Sequence, residues 1–133
     1  MKNENKPVLI TCGDPAGVGP EVAVSAWKAL KEEIPLCLII DPQFLPSDID
    51  IKILSEPPNS KDIENNTLTV INQKFGDNRT VGEPNPRHAE AIIKVVERAV
   101  QFAKSGSCSA ICTMPISKSI LKDGADFRFP GHT

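Results

Sequence analysis

The sequence predicts an α/β fold with a mainly parallel sheet and flanking helices. Three observations predict it. Short apolar runs bounded by Pro, Gly or Asp stand at residues 7–12, 35–40 and 109–114. Two segments with helical apolar spacing lie between them, and a glycine-rich connection, Gly13 to Gly19, joins the first strand to the first helix. Strands covered on both faces read as continuous apolar runs, and their alternation with helices gives a parallel sheet.

Each element has its own signal. Residues 7–12, Pro-Val-Leu-Ile-Thr-Cys, read as a buried strand that Gly13 ends. Pro20 suits a first helical turn, where its missing N–H has no helical partner to lose. Ala23, Ala26, Trp27 and Leu30 then recur at i, i+3, i+4 and i+7 on one helix face. Residues 35–40 are the second buried strand, closed by Asp41-Pro42, so the first forty residues form a right-handed βαβ unit. The Pro-, Ser-, Asn- and Asp-rich stretch 43–66 holds one strand candidate at 51–54, and 67–71 is another. Pro86 opens the clearest helix, with Ala89, Ile92, Ile93, Val96, Ala99, Val100 and Ala103 as its apolar face and Gly106 at its end. Residues 109–114 are a further strand, and Pro115 starts a short helix over 115–122 that Gly124 ends.

At 133 residues the chain has a one-domain length. Two long helices are few for covering both faces of four or five strands, so the chain reads as a single, truncated α/β unit, 1–133. The formal net charge is −2 and the basic residues are scattered, whereas a nucleic-acid partner calls for a basic stripe. No apolar run reaches the ~20 residues needed to span a bilayer, and the N-terminus lacks a secretory pattern. Cys12, Cys37, Cys108 and Cys112 all fall in or beside the strand runs, with Cys108 and Cys112 on one strand face. Without paired C-x-x-C spacing they read as buried structural thiols, which fits a reducing cytoplasm.

Three segments can carry chemistry. In Gly13-Asp14-Pro15-Ala16-Gly17-Val18-Gly19-Pro20-Glu21, the glycines allow close approach of a ligand and the helix start favours an anion. The spacing G-x-x-x-G-x-G matches neither the dinucleotide fingerprint nor the phosphate loop, so Gly17 and Gly19 mark either a ligand loop or a tight strand-to-helix turn. Asp14 and Glu21 either bind a ligand or steady the helix start. Ser117 and Lys118, at the carboxyl end of a strand, either meet a phosphate or carboxylate or form a helix cap with a solvated lysine. His132 and Thr133 follow a Pro-Gly turn and offer imidazole and hydroxyl hydrogen bonds. His88, near the start of the long helix beside Arg87 and Glu90, reads as a surface residue. No nucleophile–base pair and no histidine cluster is visible.

Together, GDPAGVGPE, the alanine-rich helix ending near Gly106, the T-x-P-I-S-K segment from Thr113 and F-P-G-H-T from Phe129 resemble the 4-hydroxythreonine-4-phosphate dehydrogenase family of pyridoxal phosphate biosynthesis. The order and spacing of these segments match over nearly the whole chain. Met114, where that family more often has Ala or Gly, is the one departure. The G-D-x-x-G-x-G-P-E core is also similar to the isocitrate and isopropylmalate dehydrogenases, whose architecture it implies. The resemblance implies oxidation of 4-phosphohydroxy-L-threonine by NAD or NADP, then decarboxylation to 3-amino-2-oxopropyl phosphate. It further implies that the chain is the N-terminal portion of a two-domain protein. It also implies a homodimer and a divalent metal (Zn, Mg or Co) held by three histidines that this chain lacks. His132 and Thr133 carry over as substrate contacts, with Asp14, Gly17, Gly19 and Lys118 as further ligand-loop candidates. Two other readings stand beside it: a paralogue acting on D-threonate or D-erythronate 4-phosphate, and a non-catalytic α/β binding or assembly module.

Overall fold

Five parallel strands and two long helices form over residues 6–116, the part of the chain that the computed structural model describes. The strands are β1 (Val8–Thr11), β2 (Leu36–Ile40), β3 (Asp50–Leu54), β4 (Thr67–Asn72) and β5 (Ala110–Thr113), in the order β3-β4-β2-β1-β5. Strand β1 pairs on both sides, with Val8 opposite Leu36 of β2 and Ala110 of β5. Two of the three apolar runs, β1 and β2, lie inside the sheet, where both faces are covered, whereas the third, expected as a buried strand at 109–114, is the outer strand β5. Every residue of β2 is buried, whereas no residue of the outer strands β3 and β5 is more than half-buried.

Helix α1 (Gly19–Leu30) connects β1 to β2, with Pro20 in its first turn. Ala23, Val24 and Trp27 are buried on it, while Ala26 and Leu30 are half-buried. Helix α2 (Ala89–Lys104) follows a 3₁₀ turn, Pro86–His88, and crosses from β4 past β2 and β1 to β5. The Asn85 side chain caps that turn by accepting from the Arg87 N–H at 2.9 Å. The helix ends in a Schellman pair: Ser107 N–H donates to the Phe102 carbonyl at 2.8 Å and Gly106 N–H to Ala103 at 3.1 Å. The first crossover runs from β1 to one side and the second returns past β1 to its other side. Right-handed crossovers in opposite directions put α1 and α2 on opposite faces.

The apolar face of α2 differs from the expected one. Ala89, Ile92, Val95 and Ala99 are buried, while Ile93 and Val96 are half-buried and Val100 and Ala103 exposed. The apolar stripe is wider than the footprint on the sheet, so periodicity alone leaves the helix roll open. Arg98 ties that roll: its guanidinium donates to the Asn72 carbonyl at 2.7 Å and to Gln73 Oε1 at 3.2 Å, at the carboxyl end of β4. The short helix expected over 115–122 lies almost wholly outside the described residues.

Three cysteines are buried as expected, but Cys112 is exposed. Among the described residues β5 is an edge strand with one face uncovered, so Cys112 and Ala110 are exposed there while Cys108, just before the strand, packs into the core. Burial pushes the Cys12 and Cys37 thiols up to about 12 and raises that of Cys108. Since the thiolate is the reactive form, iodoacetamide at mildly alkaline pH should alkylate Cys112 in the native chain and reach Cys12, Cys37 and Cys108 only after denaturation. Peptide mass spectrometry reads the result; native labelling of Cys12 would mean that the β1–α1 junction is open.

Candidate functional site

The chain leaves β1 toward β2 and later returns to β5 on the other side of β1, so the carboxyl ends of β1 and β5 flank the topological switch point. Ligands of open α/β sheets gather at such a crevice. Here the two exits are joined. Met114 N–H donates to the Thr11 carbonyl at 3.3 Å, and Asp14 N–H donates to the Pro115 carbonyl at 3.0 Å. The loop between Gly13 and Gly19 then folds on itself: Asp14 Oδ1 accepts from Ala16 N–H at 2.9 Å and the Asp14 carbonyl from Gly17 N–H at 3.0 Å. Asp14 is therefore the buried hub of the turn, not a helix cap, because α1 has no side-chain cap at its start. At the start of α1 Pro20 has no N–H and Val22 N–H donates to the Val18 carbonyl at 2.9 Å, and a helix start as such carries the partial positive charge that favours an anion.

The glycines divide by position. Gly13 holds φ +70°, and a Cβ there would press on the Pro115 carbonyl oxygen and on Met114 Cβ at 3.0 Å. At Gly19 a Cβ would collide with the Cys12 carbonyl oxygen and meet Met114 Cβ at 3.1 Å. Gly17, expected to be constrained, is not: the nearest atom to a Cβ there is 3.5 Å away. The bare backbones at 13 and 19 make room for Met114, which is buried between them. Gly13→Ala should cost about 2–4 kcal/mol, from overpacking and the left-handed φ, and Gly19→Ala about 1–3 kcal/mol from overpacking. Gly17→Ala should stay within about 0.5 kcal/mol of wild type. Denaturation midpoints of the three variants decide, and an equal loss at Gly17 would contradict this geometry.

A strap formed by residues 76–85 lies over the outside of the loop. Gly82 N–H donates to the Ala16 carbonyl at 2.8 Å. Arg79 donates to the Pro15 carbonyl at 3.0 Å and the Phe44 carbonyl at 3.3 Å, and pairs with Glu21 in the first turn of α1. Beside it a groove of about 380 Å³ opens between Pro20, Val24, Phe44, Leu45 and the Arg79 stem. Under the strap sits His88, which is 1% exposed and not at the surface as expected. Its Nε2 donates to the Asp77 carbonyl at 2.8 Å, and its ring meets Phe44 and Phe75 edge-on at 5.8 and 5.5 Å. Arg87 and Glu90 do point to solvent, but the helix start turns the residue after Arg87 inward. Asp41, after β2, anchors the same region by accepting from Phe75 N–H at 2.9 Å.

The hydrogen bond from Arg79 holds the Glu21 carboxyl below the usual carboxylate range. A lowered folded pKa contributes stability above the unfolded pKa, and that contribution is lost as pH falls through the folded one. Acidification from neutral pH should therefore loosen the strap, seen as faster exchange of the Gly82 amide than the usual acid trend allows. In Glu21→Gln that extra pH dependence should vanish; an identical profile in both proteins would remove Glu21 as its cause.

Of the expected site residues, Asp14, Gly17 and Gly19 come together at the switch point, while Ser117, Lys118, His132 and Thr133 lie outside the described residues. Among the described residues no group of three His, Cys, Asp or Glu could hold a metal ion, and no helix there is long and apolar enough to cross a membrane. The chain has two histidines, and His88 is spent on the Asp77 carbonyl in an aromatic cage, so the residues present do not fit a three-histidine metal site. Sequence reasoning gave no role to Arg79 or Asp41 and misread His88 as a surface residue. Only Asp41, before Pro42 at a strand end, carried a local signal, that of an Asx-type turn.

Comparison with known proteins places this arrangement. A 4-hydroxythreonine-4-phosphate dehydrogenase of Roseobacter denitrificans is 42% identical over 133 residues, covering 100% of this chain and 41% of the relative. One from Paracoccus denitrificans is 42% identical over 130 residues, covering 98% and 39%. The crystal structure of a 4-hydroxythreonine-4-phosphate dehydrogenase from Burkholderia phymatum superposes with a TM-score of 0.81 at 28% identity, over 96% of this chain and 41% of that one. The chain thus spans about two-fifths of the length of the relatives it matches. The family model of the pyridoxal phosphate biosynthetic protein PdxA matches residues 20–133, from the start of α1 through the strap and β5 and onward, and the chain belongs to that family.

Proposed function

We propose that this chain supplies the switch-point half of an NAD-dependent 4-hydroxythreonine-4-phosphate dehydrogenase. In this reading the whole protein, a homodimer of the cytoplasm, oxidises the C3 hydroxyl of 4-phosphohydroxy-L-threonine and releases carbon dioxide to give 3-amino-2-oxopropyl phosphate. The observation that carries the reading is the match of the entire chain, at 42% identity, to a relative bearing that name. A divalent metal supplies Lewis acidity to such a reaction, and its ligands lie outside the described residues. The residues of this chain have simpler work: the carboxyl edge of β1 and the start of α1 offer N–H groups to an anionic ligand. His132 and Thr133 donate hydrogen bonds to the phosphorylated substrate, and Lys118 adds a positive charge near the exit of β5.

The test compares the full product of the gene encoding this chain with the 133-residue chain, both supplied with NAD, a divalent metal and 4-phosphohydroxy-L-threonine. Metal-dependent NADH formation is expected from the former and none from the latter, whose two histidines cannot complete the metal site. His132→Ala in the full product should raise the substrate KM about tenfold, the effect of losing one hydrogen bond to a charged group, with the melting temperature unchanged. Turnover of D-threonate or D-erythronate 4-phosphate alone would make the protein a paralogue. No turnover of any of these would favour a binding module.

A further inference from the structure

We propose that Arg79 is a positioning residue, whose guanidinium holds the glycine-rich loop in the shape its ligand meets at the carboxyl edge of β1. The proposal rests on the dehydrogenase reading for the identity of that ligand, but its geometry stands on this structure alone. The loop's own bonds fix only its inner side, through Asp14 and Pro115. Its outer side has carbonyls at Pro15 and Ala16, and both are taken by the strap: Pro15 by Arg79 and Ala16 by Gly82 N–H. From one planar group Arg79 thus reaches three elements: the loop at Pro15, the end of the 3₁₀ turn after β2 at Phe44, and α1 at Glu21. A guanidinium presents its donors in a rigid fork, so all three partners are fixed relative to one another. A lysine has the charge without the fork. The Arg79 side chain is 16% exposed and lies over the Phe44 ring at 6.0 Å, so it is seated in the structure and not a solvated surface cation. The strap itself is anchored away from the loop, by His88 on the Asp77 carbonyl and by the Arg87–Asp77 ion pair at 3.0 Å. Arg79 therefore transmits the position of the start of α2 to the loop that starts α1.

Two measurements test this in parallel. In the 133-residue chain, Arg79→Met keeps the apolar stem and removes the donors. The amides of Ala16, Gly17 and Gly82 should then exchange about tenfold faster or more, while those of β1 and β2 keep their protection. In the full gene product the same substitution should raise the KM for NAD or for the phosphorylated substrate about tenfold, with kcat within about twofold, and the affected KM identifies the ligand the loop faces. Arg79→Lys should recover little of either effect. Unchanged exchange at Ala16 and Gly17 overturns the clasp, as does full rescue by lysine. Faster exchange spread evenly through β1 and β2 reduces Arg79 to a general stabiliser. Faster loop exchange with both KM values unchanged overturns its role in ligand binding. If the wild-type full product turns over no substrate, the dehydrogenase reading has failed on its own, and the exchange data alone then decide whether Arg79 holds the loop.

Discussion

The close approach of the β1 exit to the β5 exit is the contact on which the rest of the structure depends. Two segments about a hundred residues apart meet there, with Met114 N–H on the Thr11 carbonyl and Asp14 N–H on the Pro115 carbonyl. The missing Cβ atoms at Gly13 and Gly19 let the Pro115 and Cys12 carbonyl oxygens and Met114 Cβ pack against the bare backbone. That seam fixes where α1 begins, because Gly19 lies against Cys12 and Pro20 can then start the first turn. It also seals Cys12 and Thr11 from water and joins the two sides of the switch point. Backbone packed this closely tolerates no added methyl group without a shift, since interiors are packed as densely as organic crystals.

A second tier of contacts stands on the first. The segment after β4 is polar and rich in turn formers, yet it is tied down at both ends. Asp41 takes the Phe75 N–H at one end, and His88 takes the Asp77 carbonyl beneath the strap. Phe44, Phe75 and His88 make a small edge-to-face cluster, with centroids 5.2 to 5.8 Å apart, that separates these polar bonds from solvent. Burial of an imidazole is tolerable because Nε2 has a carbonyl partner, although its Nδ1 makes no hydrogen bond among the described residues. Through Arg79 and Gly82 this tier reaches back to the glycine-rich loop, so the candidate ligand edge is shaped from both sides.

This division clarifies what two-fifths of the relatives' length contributes. The described residues build a scaffold edge and hold its loop, and they contain neither a nucleophile–base pair nor a metal-binding cluster. Function on such a fold lives in a site assembled from several segments. The part seen here is the part that positions.

What the sequence determined by itself is local and periodic. Strand positions followed from apolar runs, because a strand covered on both faces has no room for polar side chains. The start of α1 followed from Pro20 and the end of α2 from Gly106, while Pro86 marked a 3₁₀ turn just ahead of α2, because such backbone constraints act within a few residues. The family followed from motifs in order along the chain. Only the tertiary structure decided the rest. The roll of α2 depended on Arg98 reaching the end of β4, since an apolar stripe wider than the contact leaves several rolls equally good. Exposure of Cys112 depended on β5 being the edge of the sheet among the described residues, which is a fact about sheet order and not about the strand's own residues. Gly17 and Gly19 look alike in the motif, and only the folded turn separates them: Gly19 is packed against the Cys12 carbonyl and against Met114, 95 residues away, whereas Gly17 is open. Burial of His88 and the reach of Arg79 across three elements likewise arise from long-range partners. Neither leaves a periodic trace, because a hydrogen bond to a distant carbonyl places no demand on the residues beside it in sequence.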